Sequence, residues 1–356
     1  MPLVSMRTIL DHAAEHGYGL PAFNVTNLET MHGVLRAAEA TDSPVILQAT
    51  SSARSYMGDV FVKHMVVAAL EAYPTLNIAM HLDHGNNLAT CQSAMEIGFS
   101  SVMMDGSLLE DGMTPSDTDY NTRVTRSVVD AAHAVGVSVE GEIGVLGSLE
   151  TGSGEQEDGH GFEGTLGTDQ LVTDPVEAAS FVAQTDVDAL AVAIGTSHGA
   201  YKFSKKPDGE TLAMDTLKAI HSVLPSTHLV MHGASAVPQN LQDKLNEFGG
   251  SIAQTFGLPL EEVEDGIRHG VRKVNIDTDI RMAVTAAIRE FHHNNPASFD
   301  IRGYMKTATN ATQALCTDRY ERFGCAGNGS HIKAISLADM ADRYANGSLR
   351  QNITPK

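Results

Sequence analysis

Three histidines, each followed by a glycine, mark places where this chain could carry out chemistry. His84 lies near the end of NIAMHLDHGN, His198 lies in TSHG, and His232 lies in MHG. Each stretch follows an apolar run that predicts a strand, and the glycine lets backbone or ligand approach closely. One such histidine would be interpreted as a hydrogen-bonded core residue. Three at matching positions predict a metal site built from three histidines.

Three neutral imidazoles with an open fourth position are typical of a catalytic zinc site. A structural zinc site would more often use closely spaced cysteines, whereas Cys91, Cys316 and Cys325 form no CxxC pair. Zinc at such a site would polarise a carbonyl or hydroxyl oxygen of the substrate as a Lewis acid. The histidines therefore predict a metal-dependent enzyme.

Carboxylates surround the predicted metal site in the sequence. Asp83 precedes His84, and we interpret it as the acid/base group; the alternative is a partner that orients a histidine. Regular alternation would put Asp83 and His84 on opposite faces of a strand, unless the strand end turns with the loop. Asp105 and Glu142 end two other predicted strands and could bind a second metal ion, or could be ordinary polar strand ends. His81 is expected to be structural.

Glycines and hydroxyls near two of these strand ends predict a phosphate site. Backbone N–H groups and a hydroxyl are offered by Gly233, Ala234 and Ser235. Thr278 adds a hydroxyl near the start of the following helix, where the helix dipole favours anions. Gly199 could contribute as well.

The nearest cations to this phosphate site are Lys202 and Arg281. Either could be a solvated surface charge, and the sequence favours that interpretation more for Lys202 than for Arg281. A metal, a carboxylate and a phosphate cradle suit chemistry at a carbon next to a carbonyl, through an enediolate. A Schiff-base route is disfavoured because Lys273 is expected at the far end of its strand and Lys202 in a loop. A zinc hydrolase, with Asp83 activating water, and a non-catalytic metal-binding protein are the competing interpretations.

The elements that must position these residues follow a regular alternation. Eight apolar strands are predicted at 21–25, 44–50, 78–83, 101–105, 137–144, 189–194, 228–232 and 273–277. Helices are predicted at 28–40, 59–72, 88–97, 118–135, 175–184, 213–223 and 279–293. This pattern predicts a (β/α)8 TIM barrel, in which the active site lies at the C-terminal ends of the strands.

A barrel of this class needs about 250 residues, so about a hundred are additional here. The additional residues are predicted in three places: the Gly-rich loop that follows strand five, the segment 239–270, and the tail from residue 300. The tail is predicted to be helical at 301–323 and 336–344, and to pack on the barrel or on a partner subunit. We expect one domain over 1–356.

The composition excludes several classes of partner. The chain has 356 residues, 24 basic and 44 acidic, with a formal charge of -20. Such acidity argues against binding to nucleic acid or anionic membranes, although a local cluster can still hold phosphate. The cysteine pattern favours a reduced, cytoplasmic setting, and no stretch is apolar enough to predict a membrane span.

Several long motifs resemble one enzyme family closely. They are HLDHG at 81–85, VEGEIG at 139–144, GTSHG at 195–199, HGAS at 232–235 and NIDTDIR at 275–281. These motifs resemble the class II, zinc-dependent fructose-1,6-bisphosphate aldolases. FGCAGNGSHIKAISLADMA at 323–341 resembles the longer subtype associated with the Calvin cycle. The resemblance extends from the first strand to near the C-terminus.

The resemblance implies roles for the residues at the metal. His84, His198 and His232 would bind the catalytic zinc, and Asp105 and Glu142 would match the family's second metal position. Asp83 would transfer a proton at the C4 hydroxyl of the substrate. Glu150, in the acidic loop, would assist proton transfer.

The resemblance also implies substrate contacts. The dihydroxyacetone phosphate half would be held by Gly199, Gly233, Ala234, Ser235, Asn275, Ile276, Asp277 and Thr278, with a monovalent cation (K⁺ or Na⁺) nearby. Asp277 would also bond to the substrate hydroxyls, and Arg281 would reach across a dimer interface to the other phosphate. Thr50 stands where the family usually has serine, so its methyl group bears on the fit to the aldehyde half.

The family further implies a homodimer or homotetramer acting on small phosphosugars. Glycolysis, gluconeogenesis and the Calvin cycle remain possible settings. Sedoheptulose- or tagatose-bisphosphate aldolase is the alternative activity, because one carbon or one hydroxyl configuration separates these substrates.

Overall fold

A computed structural model describes residues 3–150, 153–154, 158, 161–167, 171–207 and 211–351. Within these residues, eight parallel strands close into a barrel in the order β1-β10-β9-β8-β5-β4-β3-β2. The barrel strands are β1 (Leu20–Asn24), β2 (Val45–Thr50), β3 (Ile78–Gly85), β4 (Ser101–Met104), β5 (Ser138–Ile143), β8 (Ala189–Val192), β9 (His228–Met231) and β10 (Val271–Ile276). A two-stranded hairpin, β6 (Ser153–Gly154) with β7 (Gly164–Thr165), lies in the loop after β5.

Helices alternate with the barrel strands and cover the barrel from outside. They are α1 (Met6–His16), α2 (Leu28–Thr41), α3 (Ser51–Met57), α4 (Asp59–Ala72), α5 (Leu88–Glu96), α6 (Thr118–His133), α7 (Pro175–Thr185), α8 (Met214–Val223), α9 (Gln239–Glu247), α10 (Leu260–Arg268), α11 (Thr278–Asn294), α12 (Ile301–Arg322) and α13 (Leu337–Asn346). None of the helices in the described part of the chain is both long and apolar enough to cross a lipid bilayer.

The barrel strands differ in polarity: β2 (VILQAT) is mostly apolar, whereas β10 (VRKVNI) carries three polar residues. Every residue of the barrel strands is buried, because helices cover their outer faces and side chains fill the interior. Side-chain caps define where helices begin: the side chains of Asn27, Asn87 and Asp117 accept bonds from the first turns of α2, α5 and α6.

The predicted TIM barrel is confirmed, and all eight predicted strands are present. Four helices were not predicted: α1, α3, and α9 and α10 within the additional segment at 239–270. The signals for α1 were available, since Ser5 caps its start and Gly17 ends it with a positive φ of 75°.

The C-terminal tail forms α12 and α13, as predicted, and α12 packs against α2 and α11. Gly33 of α2 makes the close approach possible, because a Cβ there would lie 2.5 Å from the side chain of Thr312. Arg319 of α12 pairs with Asp279 of α11 at 2.9 Å, with both side chains buried. The tail is therefore fastened to the barrel by packing and by a buried ion pair.

Candidate active site

A cavity opens at the C-terminal ends of the barrel strands, where the fold places active sites. Its described lining consists of Asn24, Thr50, Asp83, His84, His198, Lys202, Gly233, Ala234, Ser235, Asn275, Asp277 and Thr278. These residues come from the C-terminal ends of six barrel strands or from the loops that follow them, and most belong to β3, β8, β9 and β10. The polar strand ends singled out in the sequence therefore meet in one place.

The three histidines come together as a possible metal site. His84, His198 and His232 each offer a ring nitrogen, and these nitrogens all lie within 4.8 Å of one another. His84 Nε2 is 3.1 Å from His232 Nδ1. His198 Nδ1 is buried and has no hydrogen-bond partner among the described residues. A buried, unpaired ring nitrogen beside two others is what a metal ligand set looks like without its ion.

Carboxylates on neighbouring strands orient two of these rings. Asp105 Oδ2 is 3.1 Å from His84 Nδ1, and Glu140 Oε1 is 2.8 Å from His232 Nε2. Each contact fixes one ring nitrogen and leaves the other directed at the cluster. Burial alone would lower the pKa of His84, but Asp83 and Asp105 outweigh it and raise that pKa to about 10. Burial, together with the charge on His84, holds the pKa of His198 well below its usual value.

A second possible metal site shares one of these histidines. Ligand atoms of His84, Asp105 and Glu142 also lie within 4.8 Å of one another. Burial and the charge of Asp105 raise the pKa of Glu142 well above its usual value. Two adjacent buried carboxylates repel each other, so a cation between them would be stabilised.

Asp83 is held by three side-chain amides. Asn24 Nδ2 donates to Oδ2 at 2.9 Å, Gln48 Nε2 donates to Oδ2 at 3.3 Å, and Asn275 Nδ2 donates to Oδ1 at 3.2 Å. Burial would raise the pKa of Asp83, but the charges of His84 and Lys273 outweigh it, so the pKa is well below its usual value. The carboxylate therefore carries its negative charge near neutral pH.

Asn24 and Gln48 were not among the predicted site residues. The available signal was a polar residue inside or at the end of an apolar strand, as in PAFN and VILQAT. Gln48 and Thr50 are two residues apart on β2, so alternation puts them on the same face.

Both Asp83 and His84 reach the cavity because β3 is irregular at this point. Its pairing with β4 shifts between Leu82 and Gly85, and His84 has a positive φ of 50°. Asp83 and His84 therefore do not point to opposite faces of β3, because the end of the strand turns with the loop. A positive φ is uncommon for histidine and is often found at functional sites. Gly85 allows tight packing below, since a Cβ there would lie 2.6 Å from the carbonyl oxygen of Met103.

The loop after β9 is arranged for close backbone approach. Gly233 has a φ of 61°, and a Cβ there would lie 2.4 Å from the carbonyl oxygen of Ser197. Asp279 fastens the far side of the loop, accepting bonds from the backbone N–H groups of Ala236 and Val237 at 3.1 and 2.8 Å. Ser235 and Thr278, which line the cavity, are thereby held near the start of α11.

The two cations are placed differently from the prediction. Lys202 is only 2% exposed and its amino group contacts the carbonyl oxygen of Ser197, so its interpretation as a solvated surface charge was wrong. The chain folds the loop after β8 back over the cavity, which the sequence pattern could not reveal. The side chain of Arg281 is 42% exposed and binds Asp277 of its own chain through Nε at 2.8 Å and Nη2 at 2.6 Å.

The acidic loop contacts the rim of the cavity. Asp158 accepts bonds from Thr50 Oγ1 at 2.8 Å and from Arg281 Nη2 at 2.9 Å. The Glu150 carboxylate accepts bonds from the backbone N–H and the hydroxyl of Ser204 at 3.3 and 2.7 Å. The described lining of the cavity does not include Gly199 or Ile276, and the side chain of Ile276 is buried in the core.

Lys273 lies closer to the site than predicted. It stands in the middle of β10 rather than at its far end, and its side chain is fully buried. Its Nζ is 2.9 Å from Glu140 Oε2 and donates to Asn275 Oδ1 at 2.7 Å. An ammonium group paired in this way is not available as a Schiff-base nucleophile.

Comparisons with known proteins agree with this geometry. The family model "Fructose-bisphosphate aldolase class-II" matches residues 4–328. The chain is 59% identical to the fructose-bisphosphate aldolase of Nostoc commune over 100% of this chain and 99% of that protein. It is 59% identical to a class 2 fructose-bisphosphate aldolase of a Synechocystis strain, over 98% of this chain and 97% of the relative.

Solved structures show the same fold. A putative fructose-1,6-bisphosphate aldolase from Coccidioides immitis aligns with a TM-score of 0.68 at 26% identity, covering 91% of this chain and 97% of that chain. The YdjI aldolase of Escherichia coli aligns with a TM-score of 0.69, covering 92% of this chain and 99% of that chain. At 24% identity, the second match supports the fold alone.

The barrel, the histidine cluster and the adjacent carboxylate define a metal-dependent lyase. The chain belongs to the class II fructose-bisphosphate aldolase family. That family depends on zinc in general and binds phosphosugar substrates.

Proposed function

We propose that this chain cleaves fructose 1,6-bisphosphate reversibly into dihydroxyacetone phosphate and glyceraldehyde 3-phosphate, with zinc held by His84, His198 and His232. The observation that carries the proposal is the convergence of three histidine nitrogens within 4.8 Å beside the Asp83 carboxylate. The buried Nδ1 of His198, which lacks a partner among the described residues, favours an ion at this place.

When bound, zinc would polarise the substrate carbonyl and stabilise the enediolate charge. Asp105 and Glu142 would hold a second divalent position beside His84. The pairing of Asp105 with His84 Nδ1 and of Glu140 with His232 Nε2 would keep the remaining nitrogens aimed at the metal.

Asp83 is the proposed proton-transfer residue. Its ionised carboxylate would take the proton from the C4 hydroxyl, and the C3–C4 bond would break to release glyceraldehyde 3-phosphate. The electron pair of that bond stays on the other half as the enediolate, which accepts a proton at C3 to give dihydroxyacetone phosphate. Three side-chain amides donate to Asp83, whereas other carboxylates orient the histidines. Because Asp83 is not needed to orient a histidine, its contacts favour the acid/base role over the orienting role.

Glu150 would assist proton transfer from the loop after β5. Its carboxylate is exposed and bonded to Ser204, so this role requires the loop to rearrange when substrate binds.

The dihydroxyacetone phosphate half would lie between the loops after β8, β9 and β10. Its proposed contacts are Gly199, Gly233, Ala234, Ser235, Asn275, Ile276, Asp277 and Thr278. Thr278 begins α11, where backbone N–H groups and the dipole favour phosphate. Lys202 supplies positive charge at the same cavity, and a monovalent cation, K⁺ or Na⁺, would complete the site.

The rim would bind the aldehyde half. Thr50 would contribute its hydroxyl, Asp277 would bond to substrate hydroxyls, and Arg281 would reach the second phosphate across a dimer interface. In this structure Thr50 and Arg281 both hold Asp158, so a phosphate would take the place of that carboxylate.

The biological setting is inferred from the same features. We propose a single-domain subunit in a homodimer or homotetramer, working in the cytoplasm, where the three buried cysteines stay reduced. The cyanobacterial relatives fit a Calvin-cycle role.

The deciding experiment is cleavage of fructose 1,6-bisphosphate, coupled to triose phosphate detection, before and after chelation and with zinc add-back. Loss with chelator and recovery with zinc is the expected result. Activity that is indifferent to chelation would refute the three-histidine mechanism. A panel with sedoheptulose and tagatose bisphosphates tests the substrate, and a higher kcat/KM for either would displace fructose 1,6-bisphosphate.

A further inference from the structure

A buried ammonium group lies one layer beneath the histidine cluster. Lys273 is fully buried, and its Nζ lies 2.7 Å from Asn275 Oδ1 and 2.9 Å from Glu140 Oε2. Burying a charge in a barrel interior is unfavourable unless its partners compensate, and an apolar residue of similar volume is often as stable. This charge lies between Asn275, which lines the cavity, and Glu140, which orients His232, so it contacts two residues that bear on the site.

The contact between Lys273 and Glu140 bears on the tautomer of His232. An ionised Glu140 accepts hydrogen bonds only, so His232 must place its proton on Nε2, 2.8 Å from Glu140 Oε1. The lone pair then lies on Nδ1, on the side of His84 Nε2. Lys273 holds the other oxygen of the same carboxylate.

The contact between Lys273 and Asn275 bears on the orientation of the Asn275 amide. An ammonium group only donates hydrogen bonds, so Asn275 must turn Oδ1 toward Lys273. Its NH2 group then points toward the cavity, where it donates to Asp83 Oδ1 at 3.2 Å and lies 3.2 Å from His232 Nδ1. The opposite orientation would put two N–H donors against the ammonium group and a carbonyl oxygen against the Asp83 carboxylate.

We propose that Lys273 is a positioning residue for the aldol reaction, which fixes the Asn275 amide with its N–H donors turned into the reaction cavity. Asn275 lines that cavity beside Asp83, where the enediolate oxygen of the proposed reaction would develop. A donor locked in place before the reaction stabilises developing charge without reorganisation. The proposal rests on the proposed aldolase activity and adds a residue that acts through another.

The test compares two neutral replacements in a matched background. Lys273→Met alone would leave Glu140 unpaired, so each replacement is combined with Glu140→Gln, which still offers an oxygen to His232. Lys273→Met removes the donor, whereas Lys273→Gln keeps an N–H donor on a side chain of similar size. The control is the unmodified enzyme, because Glu140→Gln alone would leave the Lys273 charge buried without its carboxylate.

The readouts separate positioning from structure. They are zinc per subunit, KM and kcat for cleavage, and exchange of the C3 hydrogen of dihydroxyacetone phosphate in deuterium oxide, which reports enediolate formation alone. Relative to the control, we expect Lys273→Met to retain zinc, to change KM little, and to lower kcat and exchange together by about 100-fold, as for a lost oxyanion donor. Lys273→Gln should recover part of that loss.

A cycle with Asn275→Ala tests whether Lys273 acts through Asn275. In the Asn275→Ala background, replacing Lys273 with methionine should lower exchange no further, because the group it positions is gone. Additive losses, loss of zinc from the Lys273→Met variant, or exchange within threefold of the control would each overturn the proposal. If the unmodified enzyme neither cleaves nor exchanges, the proposed function itself fails, and the two failures are thus distinguishable.

Discussion

The N-terminal ends of the barrel strands (the base) and their C-terminal ends (the mouth) both carry histidines and buried carboxylates, but these residues serve different purposes. At the base, Asp188 precedes β8 and accepts four bonds: from Arg7 at 3.1 Å, Tyr344 at 2.9 Å, His133 at 3.0 Å and the backbone of Val139 at 2.7 Å. At the mouth, carboxylates and histidines also cluster, but several of their atoms have no partner among the described residues.

The difference lies in what is left unsatisfied. Both Asp188 oxygens are saturated by groups from α1, α6, α13 and the barrel, so the base network joins elements. At the mouth, His198 Nδ1 and Glu142 Oε2 are buried without a hydrogen bond from the described residues. Unsatisfied buried polar atoms destabilise a fold unless a ligand completes them. The mouth therefore has buried polar atoms available to bind an ion and a substrate, whereas the Asp188 oxygens at the base already have hydrogen-bond partners.

The largest expected effect is on catalysis at the mouth. Asp83→Asn keeps the shape but removes the base, so we expect kcat for fructose 1,6-bisphosphate cleavage to fall by about 1,000-fold, within the range for lost acid–base catalysis. Zinc content should not change, because Asp83 Oδ1 is 3.9 Å from His84 Nε2 and belongs to neither ligand group. Steady-state kinetics and metal analysis check both points. A kcat within tenfold of the unmodified enzyme would remove Asp83 from the proton-transfer step.

The same substitution at the base should act on stability instead. Asp188→Asn breaks a buried charged network, which costs about 3–5 kcal/mol of unfolding free energy. The kcat of the folded variant should stay within about twofold, because an active site at the strands' other end is spared. Asp130→Asn is the control, since it removes an exposed i,i+4 pair with Arg126 and should cost less than about 0.5 kcal/mol. Denaturation with a parallel activity assay separates the two effects; a large kcat loss would mean that the base is coupled to the mouth.

The sequence could predict most of the mouth because its residues stand in local motifs. Strand ends followed by glycine located the histidines, and the eight-strand pattern brought them together. Long-range side-chain contacts could not be predicted in this way. Lys202 reaches the site only because the loop after β8 folds back, and Lys273 only because its long side chain extends along the barrel interior.

The base network was not predicted at all, for a physical reason. Arg7, His133, Asp188 and Tyr344 are scattered over the chain and belong to no motif. Each looks like an ordinary surface charge or helix residue in its own segment. Only closure of the barrel and docking of α13 place the four side chains together.

A smaller effect should appear when pH is lowered. Burial would raise the pKa of Asp188, but His133, Arg7 and the Val139 N–H outweigh it and lower that pKa from 3.8 to about 2. A depressed carboxylate pKa contributes stability above the unfolded value, and that stability is lost as pH falls toward the folded value. The contribution is about 2 kcal/mol, of which about half is lost by pH 3.

We therefore expect the stability difference between the unmodified protein and Asp188→Asn to narrow by about 1 kcal/mol between pH 6 and pH 3. Denaturant titrations of both proteins at each pH measure it, and titrating groups that do not interact with Asp188 cancel in the difference. A gap that stays constant or widens would show that the Asp188 carboxylate is not stabilised by its charge.

A substitution of Thr50, at the rim of the mouth, should have a small effect. Thr50 Oγ1 accepts a bond from the backbone N–H of Ala53 at 3.1 Å, which caps α3, and donates to Asp158 at 2.8 Å. Thr50→Ser keeps both bonds, and serine caps helices at least as well, so KM and stability should change little. Thr50→Ala loses both and should cost about 1 kcal/mol of helix capping and raise KM. If Thr50→Ser alone changed KM for fructose 1,6-bisphosphate more than threefold, the methyl group itself would shape the aldehyde half of the site.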